Sequence, residues 1–209
     1  MVDRETAKVS VDEDITEKEV AWDLLGTVMQ FPDEKNVEMD FGLDKFPAYR
    51  FFPGSDIKRF YRVHLPEKLP EEFTLVASFK TLQPTGPSYL FAVINPLETV
   101  IQLGLKISNG PGTNQNITLI YTNSQQHSLS DEIATFTVQR LVNKWAEIVV
   151  KVTTTDVTLY LNCHEFGKQK VTRIPSVLVF DKASILYIAQ AGANIKGNFD
   201  ALIQAIEKA

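Results

Sequence analysis

The sequence predicts an all-β fold, a sandwich or barrel, and three observations carry that prediction. From Phe31 onward, short apolar or alternating runs are broken by turn residues at regular spacing, about a dozen times. Several of these runs are apolar at consecutive positions, as in strands covered on both sides. No internal repeat or low-complexity tract is present, which argues against solenoids and propellers.

Taken in chain order, residues 1–15 are polar and read as a flexible N-terminal arm ahead of one domain over 16–209. Thr16-Glu17-Lys18-Glu19 forms a capping box, and Val20, Leu24, Leu25 and Val28 follow at helical spacing beside Trp22. A short amphipathic helix is therefore expected from about Glu17 to Gly26, stopped by the glycine. The strand candidates follow: "AYRFF", "RFYRVHL", "FTLVASFKTL", "SYLFAVI", "VIQLGLKIS" and "ITLIYTN". Their separators, "PGSD", "PEKLPEE", "QPTGP", "NPLE" and "NGPGTNQN", are turn chemistry. Then come "IATFTVQ", "WAEIVVKVT", "VTLYLNCHEF", "SVLVF" and "ILYIAQAG". The tail "NFDALIQAIEKA" is contested, because its composition favours helix while Phe199, Ala201 and Ile203 alternate as a strand does.

Composition bounds the function classes. The chain has 209 residues with 44% hydrophobic and 22% charged, ordinary globular values. A chain of this length buries roughly 70% of its unfolded surface and needs no metal or disulfide to hold a core. The net charge of -5 and the absence of a long Lys/Arg block argue against nucleic acid. No apolar run approaches the roughly 20 residues that span a bilayer, so no membrane insertion is expected. The N-terminus has no secretion-signal core, so the chain is either cytosolic or numbered from inside a longer precursor.

The single cysteine stands in "LYLNCHEF", next to one of three histidines. Read as one strand, this segment puts Leu159, Leu161 and Cys163 on one face and Tyr160, Asn162 and His164 on the other. The thiol and imidazole then point apart and cannot form the hydrogen-bonded pair that thiol catalysis needs. On the same reading Cys163 is buried. Zinc would require three or four converging ligands, whereas His64, His127 and His164 are scattered and read as surface or edge residues. Trp145 reads as a core anchor with Ile148 and Val150 rather than a sugar-stacking platform.

Leu103-Gly104-Leu105-Lys106, Leu119-Ile120-Tyr121-Thr122, Tyr160 to Cys163 with Glu165-Phe166, and Ile188-Ala189-Gln190-Ala191-Gly192 together carry a resemblance. Over residues 20–207 the chain resembles a thrombospondin N-terminal-like (laminin-G-like) domain, most of all that of the multiplexin collagens, types XV and XVIII. The resemblance implies a two-sheet antiparallel jelly-roll sandwich of the concanavalin class, with the final run returning as a strand to the sheet edge. It implies a secreted, non-enzymatic module of the extracellular matrix, concerned with basement-membrane adhesion and organisation. Matrix proteins would be its partners, and a collagen segment not present here could make it a trimer. The family pairs the cysteine matching Cys163 with one beyond the last strand, so the expectation is half of a structural disulfide whose partner lies past Ala209. A plain buried thiol is the alternative.

The same fold class holds glycoside hydrolases that need two acids across a sugar. Glu38-Met39-Asp40 starts such a motif, but Gly42 and Leu43 stand where its second glutamate belongs. No cofactor is expected. Calcium stays open, with Asp131, Asp156 and Asp200 in or near loops but no dense acidic loop, and "TTTD" at Asp156 is explained as a hairpin turn. A lectin-like or heparan-sulfate-binding role is the competing function. Lys58, Arg59 and Arg62, with Lys168, Lys170 and Arg173, are the candidate sulfate patches, against a plain reading as solvated edge charge. Asn116-Ile117-Thr118 is a glycosylation sequon at the mouth of a strand.

Overall fold

The computed structural model describes residues 21–26, 34–82 and 86–209. Its strands, in chain order, are β1 (Trp22–Asp23), β2 (Val37–Phe41), β3 (Pro47–Phe51), β4 (Ile57–Phe60), β5 (Phe73–Thr81), β6 (Ser88–Ile94) and β7 (Ile101–Asn109). The second half adds β8 (Asn114–Tyr121), β9 (Glu132–Gln139), β10 (Trp145–Val152), β11 (Asp156–Leu161), β12 (His164–Lys170), β13 (Ile185–Ile188) and β14 (Ala201–Lys208). They form two antiparallel sheets. The larger runs β12-β11-β10-β5-β14-β3-β2, with β1 pairing β14, and the smaller runs β4-β13-β6-β7-β8-β9.

Period-two alternation builds the core between the sheets. Phe73, Leu75, Ala77 and Phe79 of β5 face inward beside Ala146, Ile148, Val150 and Val152 of β10, all buried. From the other sheet come Leu90, Phe91, Val93, Leu103, Leu105 and Leu119. Each fully buried side chain of this size contributes about 1.5–3 kcal/mol. The consecutive apolar residues of β6 have their own cause. Ala92 and Ile94 face a second, outer cluster with Tyr89, Ile101, Tyr187 and Ala191, against which Ile195 packs. Gly197 (φ +93) permits this cover: a Cβ there would lie 2.6 Å from the Tyr89 ring.

One edge of the sandwich is stitched by a side chain. Thr135 of β9 donates its amide to Gln169 Oε1 (3.1 Å), and Gln169 Nε2 of β12 donates to the Thr135 carbonyl (2.6 Å). The carboxamide thus mimics a peptide group between the outermost strands of two different sheets.

Several expectations are corrected. Of the expected helix at Glu17 to Gly26, residues 17–20 lie outside the described residues, and Trp22–Asp23 is a strand paired with Lys208 and Glu207. Backbone pairing there outweighs helical spacing. The tail is a strand, but it runs inside the sheet rather than at its edge, flanked by β5 on one side and by β3, then β1, on the other. The partner changes at a bulge near Gln204, whose Oε1 accepts from Leu43 N (2.7 Å). "SVLVF" contributes only an isolated bridge from Val179 to Lys68, and "RFYRVHL" breaks into a 3₁₀ turn at Tyr61–Val63. Trp145 lies on the face opposite Ala146 and Ile148, so it is a half-buried outer residue and not a core anchor.

Candidate functional site

Cys163 is exposed, against the buried strand position expected. "LYLNCHEF" is not one strand but a hairpin, with Leu161 opposite His164 and Asn162-Cys163 as its two-residue loop. Both loop residues have positive φ (49° and 65°), the type I′ signature usually written Asn-Gly. The absence of the glycine hid the turn from pattern reading. Asn162 fixes the turn by accepting from Glu147 N (3.0 Å), and the His164 ring contacts the Asn162 carbonyl (2.8 Å).

The six candidate sulfate-binding cations do not form patches of free charge. Arg173 is buried, not superficial: its guanidinium donates to the carbonyls of Ser176 (3.0 Å), Thr153 (2.8 Å) and Glu71, and lies over the rings of Tyr121 and Phe73. It clamps three loops. Lys168 and Lys170 are exposed on one face of β12, with Asp156 ion-paired to Lys168 at 3.2 Å. On β4, Lys58 pairs with Asp56 (2.9 Å) and Arg59 with Glu34, while neighbouring positions on a strand face opposite ways. Arg62 is exposed and donates to Tyr61 OH (3.3 Å).

Asn116 is the third residue of β8, near its start, and is paired on both sides. Its Oδ1 accepts from Thr137 Oγ1 (2.8 Å). Among the calcium candidates, Asp200 is buried and pairs with Arg50, and Asp156 closes the β10–β11 turn through its backbone to Thr153 (2.9 Å). His64 is buried rather than superficial. Among the described residues no group of three or more His, Cys, Asp or Glu could hold a metal.

A pocket that no sequence pattern marked lies beside β4 and β13. It has a volume of ≈ 270 Å³, and its lining includes Asp56, Lys58, Glu98, Tyr187, Gln190 and Asn198. Glu98 and Gln190 are each placed by a tight local device. Asn95 Oδ1 accepts from Thr99 N and Val100 N (both 2.9 Å), presenting Glu98 from the β6–β7 turn. Gln190 follows Ala189, whose amide and carbonyl bond Leu90 and Phe199 across the sheet. Buried Tyr187 donates to Glu98 Oε1 (2.6 Å), and buried Gln190 donates to Asp56 Oδ1 (3.0 Å). Burial first, and the Glu98 carboxylate second, push the Tyr187 phenol up, so it stays protonated and donating. The Lys58 hydrogen bond holds the Asp56 carboxyl below its ordinary range, and Asp56 raises Lys58 in return. Gln190 belongs to the quoted "IAQAG" and Lys58 to a candidate cationic cluster, but the segments around 56–58, 98 and 187–198 lie far apart in sequence, and no spacing signal joins them.

No family model matches the chain. The resemblance read from the sequence nevertheless holds. The chain is 28% identical over 163 residues to the human collagen alpha-1(XVIII) chain, an alignment covering 77% of this chain and 9% of that one. It thus spans about a tenth of the curated relative's length. Among solved structures, a SAP-like pentraxin from Limulus polyphemus superposes with a TM-score of 0.52 at 14% identity, covering 82% of this chain and 74% of the pentraxin. Domain 4 of AbnA, an extracellular arabinanase from Geobacillus stearothermophilus in complex with arabinotriose, gives 0.53 at 13% identity, with the same coverages. These two show the fold: a jelly-roll sandwich. The collagen alignment, on its side, supports a resemblance to a thrombospondin-like or laminin-G-like domain of the multiplexin type.

Proposed function

We propose that this chain is a non-enzymatic extracellular-matrix module, the N-terminal non-collagenous domain of a multiplexin-like collagen, acting in basement-membrane adhesion and organisation. The observation that carries the proposal is the alignment with collagen XVIII over most of the chain. The domain would occupy 16–209 behind an arm at 1–15, be secreted, and reach a trimeric state through a collagen segment. Exposed Cys163 fits a disulfide to a cysteine elsewhere in such a protein. Its ligands would be matrix proteins. The test is solid-phase binding of the purified chain to laminin, type IV collagen and a heparan-sulfate proteoglycan, with and without heparitinase. Saturable binding to at least one of them is expected, and its absence from all three overturns the adhesive role.

Heparan sulfate is the weaker ligand reading, because carboxylates already pair Lys58, Arg59 and Lys168, and Arg173 is buried. An exposed, pre-neutralised cation adds little to anion binding. Charge reversal at Lys170 and Arg62 should leave elution from a heparin column nearly unchanged.

A further inference from the structure

We propose that the pocket between Asp56, Glu98, Gln190 and Asn198 binds one unit of a neutral glycan. The inference goes beyond the matrix-module reading and does not depend on it.

The pocket is small, and its lining carries the hydrogen-bonding groups that a polyol needs. Its ≈ 270 Å³ lies near the lower end of small-ligand pockets. Sugar hydroxyls both donate and accept, so their recognition needs fixed acceptors and fixed donors side by side. Both are present. Glu98 accepts from buried Tyr187 through Oε1, while Asp56 is held at both oxygens, by buried Gln190 at Oδ1 and by Lys58 at Oδ2; the carboxylates are thereby fixed, and the lone pairs left on Glu98 are the main free acceptors for a ligand. Asn198 is exposed and belongs to the lining, and Lys58 adds further N–H donors.

Charge selects among ligands. Asp56 and Lys58 offset each other, so the lining keeps one net negative charge, on Glu98, and that charge opposes a sulfated or carboxylated sugar. A divalent cation would meet the Lys58 ammonium, already 2.9 Å from Asp56. A hydroxyl-rich neutral ring avoids both costs. Pre-formed partners also mean that little side-chain freedom is lost on binding.

The test is two-dimensional ¹H–¹⁵N NMR of the whole chain, titrated separately with methyl α-mannoside, methyl β-galactoside, methyl α-glucoside, arabinotriose, heparin disaccharide and calcium chloride. At least one neutral probe is expected to shift the amides around 54–58, 97–99 and 187–198, with millimolar affinity. Glu98→Gln, which keeps an acceptor for Tyr187, should weaken that binding at least tenfold. Asn198→Ala, at an exposed position tolerant of change, should weaken it several-fold with an otherwise unchanged spectrum. Silence of these amides toward every neutral probe overturns the proposal, as does a response to calcium or heparin disaccharide alone. Loss of the pocket response with retained binding to laminin or type IV collagen would sink the glycan site and leave the matrix role standing.

Discussion

Replacing Cys163 by glycine tests the hairpin directly, because the two readings of "LYLNCHEF" predict opposite signs. In the structure Cys163 has φ 65°, a conformation that costs an L-residue about 1–2 kcal/mol and glycine nothing. Glycine returns about 0.5–1 kcal/mol through its greater freedom in the unfolded chain. The side chain is exposed, so no packing is lost. The net expectation is a gain of about 0.5–1 kcal/mol, which for a chain of this size raises Tm by roughly 1–4 °C. Had Cys163 been an inward residue of a continuous strand, the same substitution would have removed a buried side chain and lowered Tm. Differential scanning calorimetry under reducing conditions decides between them, with Cys163→Ser as the control that keeps the strain. A glycine variant less stable than wild type would refute the turn geometry.

Arg173→Met should cost about 3 kcal/mol or more in urea unfolding, since three loop carbonyls lose their donor, and Arg173→Lys should rescue little because an ammonium cannot span the fork. Trp145→Ala should cost only about 1 kcal/mol against about 3–5 for Phe79→Ala, measured as the shift in denaturation midpoint. Burial holds the His64 imidazole below its ordinary 6.5, against the opposing influence of Asp23. The unfolded chain therefore binds that proton first. The His64 contribution is fully present above about pH 6.5 and is lost as pH falls through the folded value. Urea midpoints from about pH 7.5 to 5 should decline less steeply in His64→Gln, and parallel slopes would discard this assignment.

Much of the sandwich is legible in the sequence because its strands alternate strongly and their separators are rich in proline, glycine and asparagine. β5, β6, β7, β9 and β10 stand close to where their runs predict. The failures have distinct causes. Asn162-Cys163 takes up positive φ without glycine, so a hairpin reads as one long strand. "VEMDF" alternates acidic and apolar residues at an exposed edge and becomes β2 only through pairing with β3. Trp22–Asp23 is pulled into a strand by the end of β14, a partner about 185 residues away that local spacing cannot register. The residues of the pocket and of the cationic clusters are least legible of all. Lys58 and Arg59 read as a cationic cluster because sequence shows neighbours along the chain and not the carboxylates of Asp56 and Glu34 that meet them. Glu98 and Tyr187 converge through the pairing of β6 with β13, and Asn198 is brought in by the backbone bonds that join Gly197 to Tyr89 and Phe199 to Ala189.

The seam between β9 and β12 is closed at Thr135 by a rotatable side chain, the Gln169 carboxamide, and not by a backbone ladder. A backbone ladder opens only when the strands part, whereas a side chain can rotate away while both sheets stay intact. The Thr135 amide should consequently exchange with solvent deuterium through local openings, long before the core amide of Ile148, which is released only with the fold. That difference makes Thr135 a built-in gauge of how often the sandwich unlatches along one side.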